Sequence, residues 1–231
     1  MLRVGLAMLQ GARHEHAEAL RGAANELGVE VEVVECRRAE HVHDVDALVL
    51  PGGESTTMRI ASQHESLLEA SFAWMEQHPD RPVLGTCAGA ILLAAPGNGR
   101  EPFVRVGIQR NAWGRQKQSF EASVEVNLAT PKASFMEVDA PPRDRFQHQP
   151  LAVQSQVERV IGDGFPGVFI RAPRFDPAVM DCLPAATLGE EIVGVIDGRK
   201  LALTFHPELT VDRRFHRWLL EQAADVKGAT S

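Results

Sequence analysis

At 231 residues, with 44% hydrophobic and 24% charged side chains, the chain is long enough for one well-packed globular domain, while two full domains would be a squeeze. Its 24 basic and 31 acidic side chains give a net charge of −7, which argues against nucleic acid as the main partner. No apolar run approaches the ~20 residues that span a bilayer. The three cysteines, Cys36, Cys87 and Cys182, are odd in number and irregularly spaced, which fits a reducing, cytoplasmic setting better than a disulfide framework.

In chain order, Leu2 to Leu9 reads as a buried first strand, without the basic and apolar regions of a signal peptide. Ala17, Leu20, Ala24 and Leu27 then follow helical spacing, and Gly28 is placed to stop that helix. Val29, Val31 and Val33 alternate as a strand does. Asp46 to Leu50 is a short buried strand closed by Pro51-Gly-Gly53, and one helical stretch is expected from about Thr57 to Gln77. An apolar strand, Pro82 to Thr86, then runs straight into an apolar helix across Cys87. Such alternation implies a parallel sheet covered on both faces, whose ligands bind beyond the carboxyl ends of the strands.

The second half changes character. Val104 to Ile108, Phe120 to Val126, Gly167 to Arg171, Glu191 to Ile196 and Lys200 to Phe205 read as strands with few helices between them. Asp197-Gly198 suits a hairpin turn, and an amphipathic helix is expected from about Val211 to Val226, ending before Gly228. The stretch from Pro131 to Pro166 is polar, proline-bearing and weakly periodic, as an insertion would be.

Three segments carry chemistry. Cys87 sits on a strand-to-helix turn, where helix N–H groups and the helix dipole stabilise negative charge. Phe205-His-Pro-Glu208 supplies an imidazole and a carboxylate two residues apart. A thiolate can attack a carboxamide carbonyl, His206 can move the proton, and Glu208 can orient the imidazole. Ala88 N–H, just after the nucleophile, and the backbone of Gly53 are the candidate oxyanion donors. Taken singly, each part has a plainer reading: a buried structural cysteine, a surface His-x-Glu pair, a Pro-Gly-Gly turn. Their conjunction at successive strand ends is far more specific. Elsewhere, His41, His43 and Cys36 offer at most three ligands in a polar loop, His14 and His16 point to different faces of one helix, and Arg213-Arg214 read as a solvated face. No metal and no cofactor is expected.

Pro51-Gly-Gly-Glu-Ser55, Gly85-Thr-Cys-Ala-Gly89 and Phe205-His-Pro-Glu208 together resemble the class I (triad) glutamine amidotransferases. Leu9-Gln-Gly-Ala12, Gln109-Arg-Asn-Ala-Trp-Gly-Arg-Gln116, Ser119-Phe-Glu-Ala122, Gly167-Val-Phe-Ile-Arg-Ala-Pro173 and Phe205-His-Pro-Glu-Leu-Thr210 narrow it, in order over nearly the whole chain. They resemble the glutaminase subunits of two-protein pyridoxal 5′-phosphate synthases.

That resemblance implies a three-layer αβα fold with a mostly parallel central sheet and some antiparallel strands in the second half. It implies a single amidotransferase domain over 1–231, with an insertion at about 124–166 where relatives are shorter. It implies the triad Cys87, His206 and Glu208, and glutamine held by Gly53, Glu54, Ser55, Arg110, Ile170 and Arg171. Ammonia would pass to a (β/α)₈ synthase partner in a large hetero-oligomer, without nucleic acid or membrane. The alternatives are a triad amidotransferase serving another acceptor enzyme and a non-catalytic regulatory subunit.

Overall fold

The computed structural model describes residues 1–110, 119–131 and 164–229. Strand β1 (Leu2–Ala7) leads into α1 (Arg13–Leu27), and β2 (Val31–Cys36) returns parallel to β1. Gly28, in the left-handed conformation at φ 67°, closes α1 as its position predicts. Strand β3 (Ala47–Leu50) lies on the other side of β1 and is followed by α2 (Ser55–Ala61) and α3 (Leu67–Gln77). The expected single helical stretch is therefore two helices. The chain breaks where Ser66 takes φ 50° and the Ser62 hydroxyl accepts the Leu68 N–H at 2.7 Å.

Strand β4 (Val83–Thr86) and α4 (Ala88–Ala94) follow, then β5 (Val106–Gln109), β6 (Ser119–Val126), β7 (Phe165–Ile170), β8 (Arg174–Met180), β9 (Leu183–Leu188), β10 (Glu191–Asp197), β11 (Lys200–Leu203) and α5 (Arg214–Ala229). The main sheet has the order β2-β1-β3-β4-β11-β10-β9-β6-β7, and β5 pairs with β8 in a separate two-stranded sheet. From β2 to β11 neighbours run parallel, and from β11 to β7 they run antiparallel. The hairpin on Asp197-Gly198 joins β10 to β11, with Gly198 at φ 57°. Strands β8 and β9 depart from the expectation, since Pro177 and Pro184 argue against sheet membership. Helix α5 also runs through Gly228 rather than ending before it. Residues 124–126 and 165–166 are strand ends, and 132–163 of the expected insertion lie outside the described residues.

Strand alternation builds the layers. Ala47, Val49, Leu201 and Leu203 face a core closed by Leu20 and Ala23 of α1 and by Phe215, Trp218 and Leu219 of α5. Leu48, Leu50 and Ala202 face the opposite core, closed by Leu68 and Phe72 of α3 and Leu92 and Leu93 of α4. The result is the α/β/α sandwich that the sequence predicts. The carboxyl ends of β1, β3, β4 and β11 come together at one edge of it.

Candidate active site

The turn from β4 into α4 is tight because its glycines allow it. A Cβ at Gly89 would stand 1.9 Å from the Leu50 carbonyl oxygen, and one at Gly85 would stand 2.6 Å from Leu93 Cδ1. Between them Cys87 adopts φ 48° and ψ −103°, a conformation that costs a residue with a side chain about 1–3 kcal/mol. Its own N–H, bonded to Leu203 O at 2.8 Å on the neighbouring strand, helps hold it there. The thiol is buried, with Sγ 3.8 Å from the Ile170 carbonyl oxygen. Ala88 begins α4, so its N–H has no intrahelical partner.

His206 follows β11, its N–H bonded to Val168 O at 2.8 Å on β7. Pro207 then starts a short 3₁₀ turn that swings Glu208 back beneath the imidazole. Glu208 Oε1 lies 2.8 Å from His206 Nδ1. The carboxylate assigns the proton to Nδ1 and leaves Nε2 for the thiol. Burial opposes charge on His206, but the Glu208 carboxylate and the hydrogen bond with Cys87 outweigh it and hold the imidazole pKa above its ordinary range. Burial likewise opposes ionisation of Glu208, and the His16 and His206 rings facing it overcome that and keep the carboxyl well below its ordinary range.

The loop after β3 forms the adjoining wall. Gly53 takes φ 142°, and the Gln10 side chain packs on it while accepting the Glu54 N–H at 2.8 Å. The Glu54 carboxylate is engaged locally. It accepts from Thr56 N at 3.0 Å and Thr57 N at 2.7 Å, capping α2, and these bonds hold its pKa well below the ordinary range. Ser55 Oγ is buried with no hydrogen-bond partner among the described residues. Arg110 is exposed and donates from Nη1 to Thr56 Oγ1 at 3.1 Å. Arg171, also exposed, follows Ile170 at φ 44°.

The structure thus brings Cys87, His206, Glu208 and the Ile170 carbonyl together, with Gly52 wedged against Cys87 and His206. Arg110 and Gly53-Glu54-Ser55 line the α2 side of the same strand ends. Residues 111–116 of the arginine-bearing motif lie outside the described residues. Among the described residues no group of three or more His, Cys, Asp or Glu side chains is set to hold a metal. Cys36 is fully buried and Cys182 partly so, and burial pushes both thiols up to about 11. Arg213 and Arg214 correct the solvated-face expectation. Arg213 pairs with Glu26 at 2.7 Å, and Arg214 pairs with Asp212 and covers the Phe165 ring.

Two buried residues beside the triad escape the motif reading. His16 of α1 and His216 of α5 are fully buried next to Glu208. The signal was available: His16, Leu20 and Ala24 share one apolar stripe, as do His216, Leu219 and Ala223.

A cysteine on a strained strand-to-helix turn, with histidine and carboxylate from the next strand end, defines the class of triad enzymes that act on carboxamides through a thioester. The chain belongs to the SNO glutamine amidotransferase family, whose model matches residues 6–148 and 138–225. Among its relatives, the pyridoxal 5′-phosphate synthase subunit PdxT of Thermococcus onnurineus is 39% identical over 96% of this chain and 100% of its own length. The subunit of the same name from Halalkalibacterium halodurans is 35% identical, covering 98% and 97%. A solved structure described as a glutamine amidotransferase aligns with a TM-score of 0.67 at 34% identity, covering 96% of this chain and 98% of that one. A chain in the structure of PurLQS from Thermotoga maritima shares the fold alone, at 14% identity and a TM-score of 0.58.

Proposed function

We propose that this amidotransferase hydrolyses L-glutamine to L-glutamate and ammonia through a Cys87 thioester and supplies the ammonia to a pyridoxal 5′-phosphate synthase. The reading rests on the Glu208–His206–Cys87 array, above all on the 2.8 Å contact that fixes the imidazole. Sγ attacks the side-chain carbonyl carbon, and the imidazolium gives its proton to the leaving nitrogen. Ammonia departs. Water, deprotonated by His206, then attacks the thioester and releases glutamate and the thiolate. Ala88 N–H and Gly53 N–H are the candidate oxyanion donors, each worth about 2.7–4 kcal/mol in such sites. The unpartnered Ser55 hydroxyl and the cationic Arg110 and Arg171 suit the polar ends of glutamine.

The partner in this reading is a (β/α)₈ synthase subunit within a large hetero-oligomer, in the cytoplasm, where Cys87 stays reduced. Gln10 lies over Gly53, so docking that moves Gln10 would complete the oxyanion hole and couple hydrolysis to the acceptor. Glutamine hydrolysis measured with and without the cognate synthase subunit tests both statements. Equal rates would remove the coupling. Cys87→Ala should abolish glutamine-dependent synthesis of pyridoxal 5′-phosphate and spare the ammonia-dependent reaction. Surviving glutamine-dependent synthesis would remove Cys87 from the mechanism.

A further inference from the structure

The second oxygen of the Glu208 carboxylate has a neighbour that the triad does not use. Oε1 is committed to His206. Oε2 is buried, has no hydrogen-bond partner among the described residues, and lies 3.3 Å from His16 Nε2. Both side chains are fully shielded from solvent. His16 Nε2 is also 3.1 Å from Oγ1 of Thr86, the residue before the nucleophile, and His16 Nδ1 is 3.0 Å from His216 Nε2.

Only one arrangement of protons serves all these contacts. If His16 carried its proton on Nδ1, a bare Nε2 lone pair would face a carboxylate oxygen, and His216 Nδ1–H would be a buried donor with no partner among the described residues. With the proton on Nε2, His16 donates towards Oε2 and Thr86. Its Nδ1 then accepts from His216 Nε2–H, and His216 Nδ1 is left as an unprotonated acceptor. Neutrality of both rings follows from their surroundings. Burial lowers the pKa of each, to about 3 for His216. His206 from the triad segment opposes charge on His16, and His16, Arg213 and Arg217 oppose it on His216, while Glu208 favours it on both. Arg213 and Arg217 are themselves held by Glu26 of α1.

We propose that His16 is a positioning residue of the triad: its Nε2–H steadies Glu208 Oε2, and His216 locks His16 in the tautomer that can donate. Glu208 is thereby fixed by both oxygens, and the orientation of His206 depends on two helices outside the motif segments. The proposal rests on the glutaminase reading above, and its test separates the two.

The test is glutamine hydrolysis by the complex with the cognate synthase subunit, comparing wild type, His16→Leu and His16→Gln. The glutamine amide nitrogen can replace Nε2–H, and leucine cannot. Outer partners that orient a reacting group through hydrogen bonds at metal sites matter by about 10–100-fold. His16→Leu should lower kcat by about that factor with KM changed less than about twofold, and His16→Gln should recover most of it. Undiminished kcat in His16→Leu, or equal losses in both variants, overturns the proposal. Imidazole ¹⁵N shifts of the wild-type protein decide the same point if His16→Leu does not fold. Neutral Nε2–H tautomers of His16 and His216 from about pH 6 to 8 are expected, and an Nδ1–H tautomer or a titration of His16 in that range overturns the relay. A wild-type complex that hydrolyses no glutamine sinks the glutaminase reading, while the tautomers still decide the relay.

Discussion

Gly52 lies so close to His206 that a Cβ there would stand 2.4 Å from the imidazole Cε1 and 3.4 Å from Cys87 Cβ. The glycine of the β3 turn therefore sets where the base can sit, and the ring fills the space a side chain would take. Gly52→Ala should push the imidazole off its line to Sγ while leaving the fold intact, since the clash is with a side chain. Misplacement by about 1 Å can cost about 10²-fold in rate. The expected result is a loss of kcat/KM of about that size with a melting temperature close to that of the wild type. Activity within a few-fold of the wild type would show that the imidazole has room to move.

Glu208→Gln keeps the shape of the side chain and removes its charge. Burial then acts on His206 with much less opposition, so the imidazole pKa falls. The alkaline limb of the pH–kcat profile should move to lower pH, with kcat reduced by about 10⁴-fold, as in other hydrolytic triads. Stability should respond at the acid end. A carboxyl held below its ordinary 4.5 in the folded state stabilises the protein above that pH and loses the contribution as pH falls below it. Acid denaturation below about pH 4.5 should therefore be shallower in Glu208→Gln. An unchanged alkaline limb would mean that another group sets it.

The parallel half of the sheet and the placing of Cys87 and His206 at neighbouring strand ends were legible in the sequence, because each depends on local pattern. Buried strands of four residues, such as Ala47–Leu50 and Val83–Thr86, carry no charged side chain, and the Cys87 turn is flanked by the glycines its close packing needs. Strands β8 and β9 were not legible. Pro177 and Pro184 argue against strands, and neither proline's sheet environment is visible in its own segment. The His16–His216 contact was hidden for a different reason. It joins side chains 200 residues apart, and only the packing of α1 against α5 brings them together.

Gly89→Ala tests the other close approach. Its Cβ would stand 1.9 Å from the Leu50 carbonyl oxygen, a backbone atom at the carboxyl end of β3 that has no rotamer to yield. Overpacking of this kind costs about 1–3 kcal/mol and sometimes more. At about 2–4 °C per kcal/mol for a chain of this size, the melting temperature should fall by several degrees. Activity should fall with it, because α4 carries Ala88 and abuts Cys87. A variant that melts with the wild type would show that α4 can slide without loss.

Lys200 gives the clearest pH signature outside the site. Its ammonium is buried beside β4 and donates to the carbonyl oxygens of Pro79 at 2.8 Å and Arg81 at 2.6 Å, tying down the loop that leads into the Cys87 strand. Burial lowers its pKa from 10.5 to about 8. A cation whose folded pKa is depressed releases its proton earlier in the folded state than in the unfolded one. Between about pH 8 and 10.5 the unfolded chain therefore binds more protons, and stability rises with pH. His206 contributes the opposite slope, because its raised pKa means that its stabilisation is lost as pH climbs above 6.5. The difference between wild type and Lys200→Met cancels the His206 contribution. Measured by urea denaturation, that difference should move in favour of the wild type from pH 8 to 10.5, by up to about 3 kcal/mol at about 1.4 kcal/mol per pH unit. A flat difference across that window would show that Lys200 keeps its proton, held by the two carbonyls.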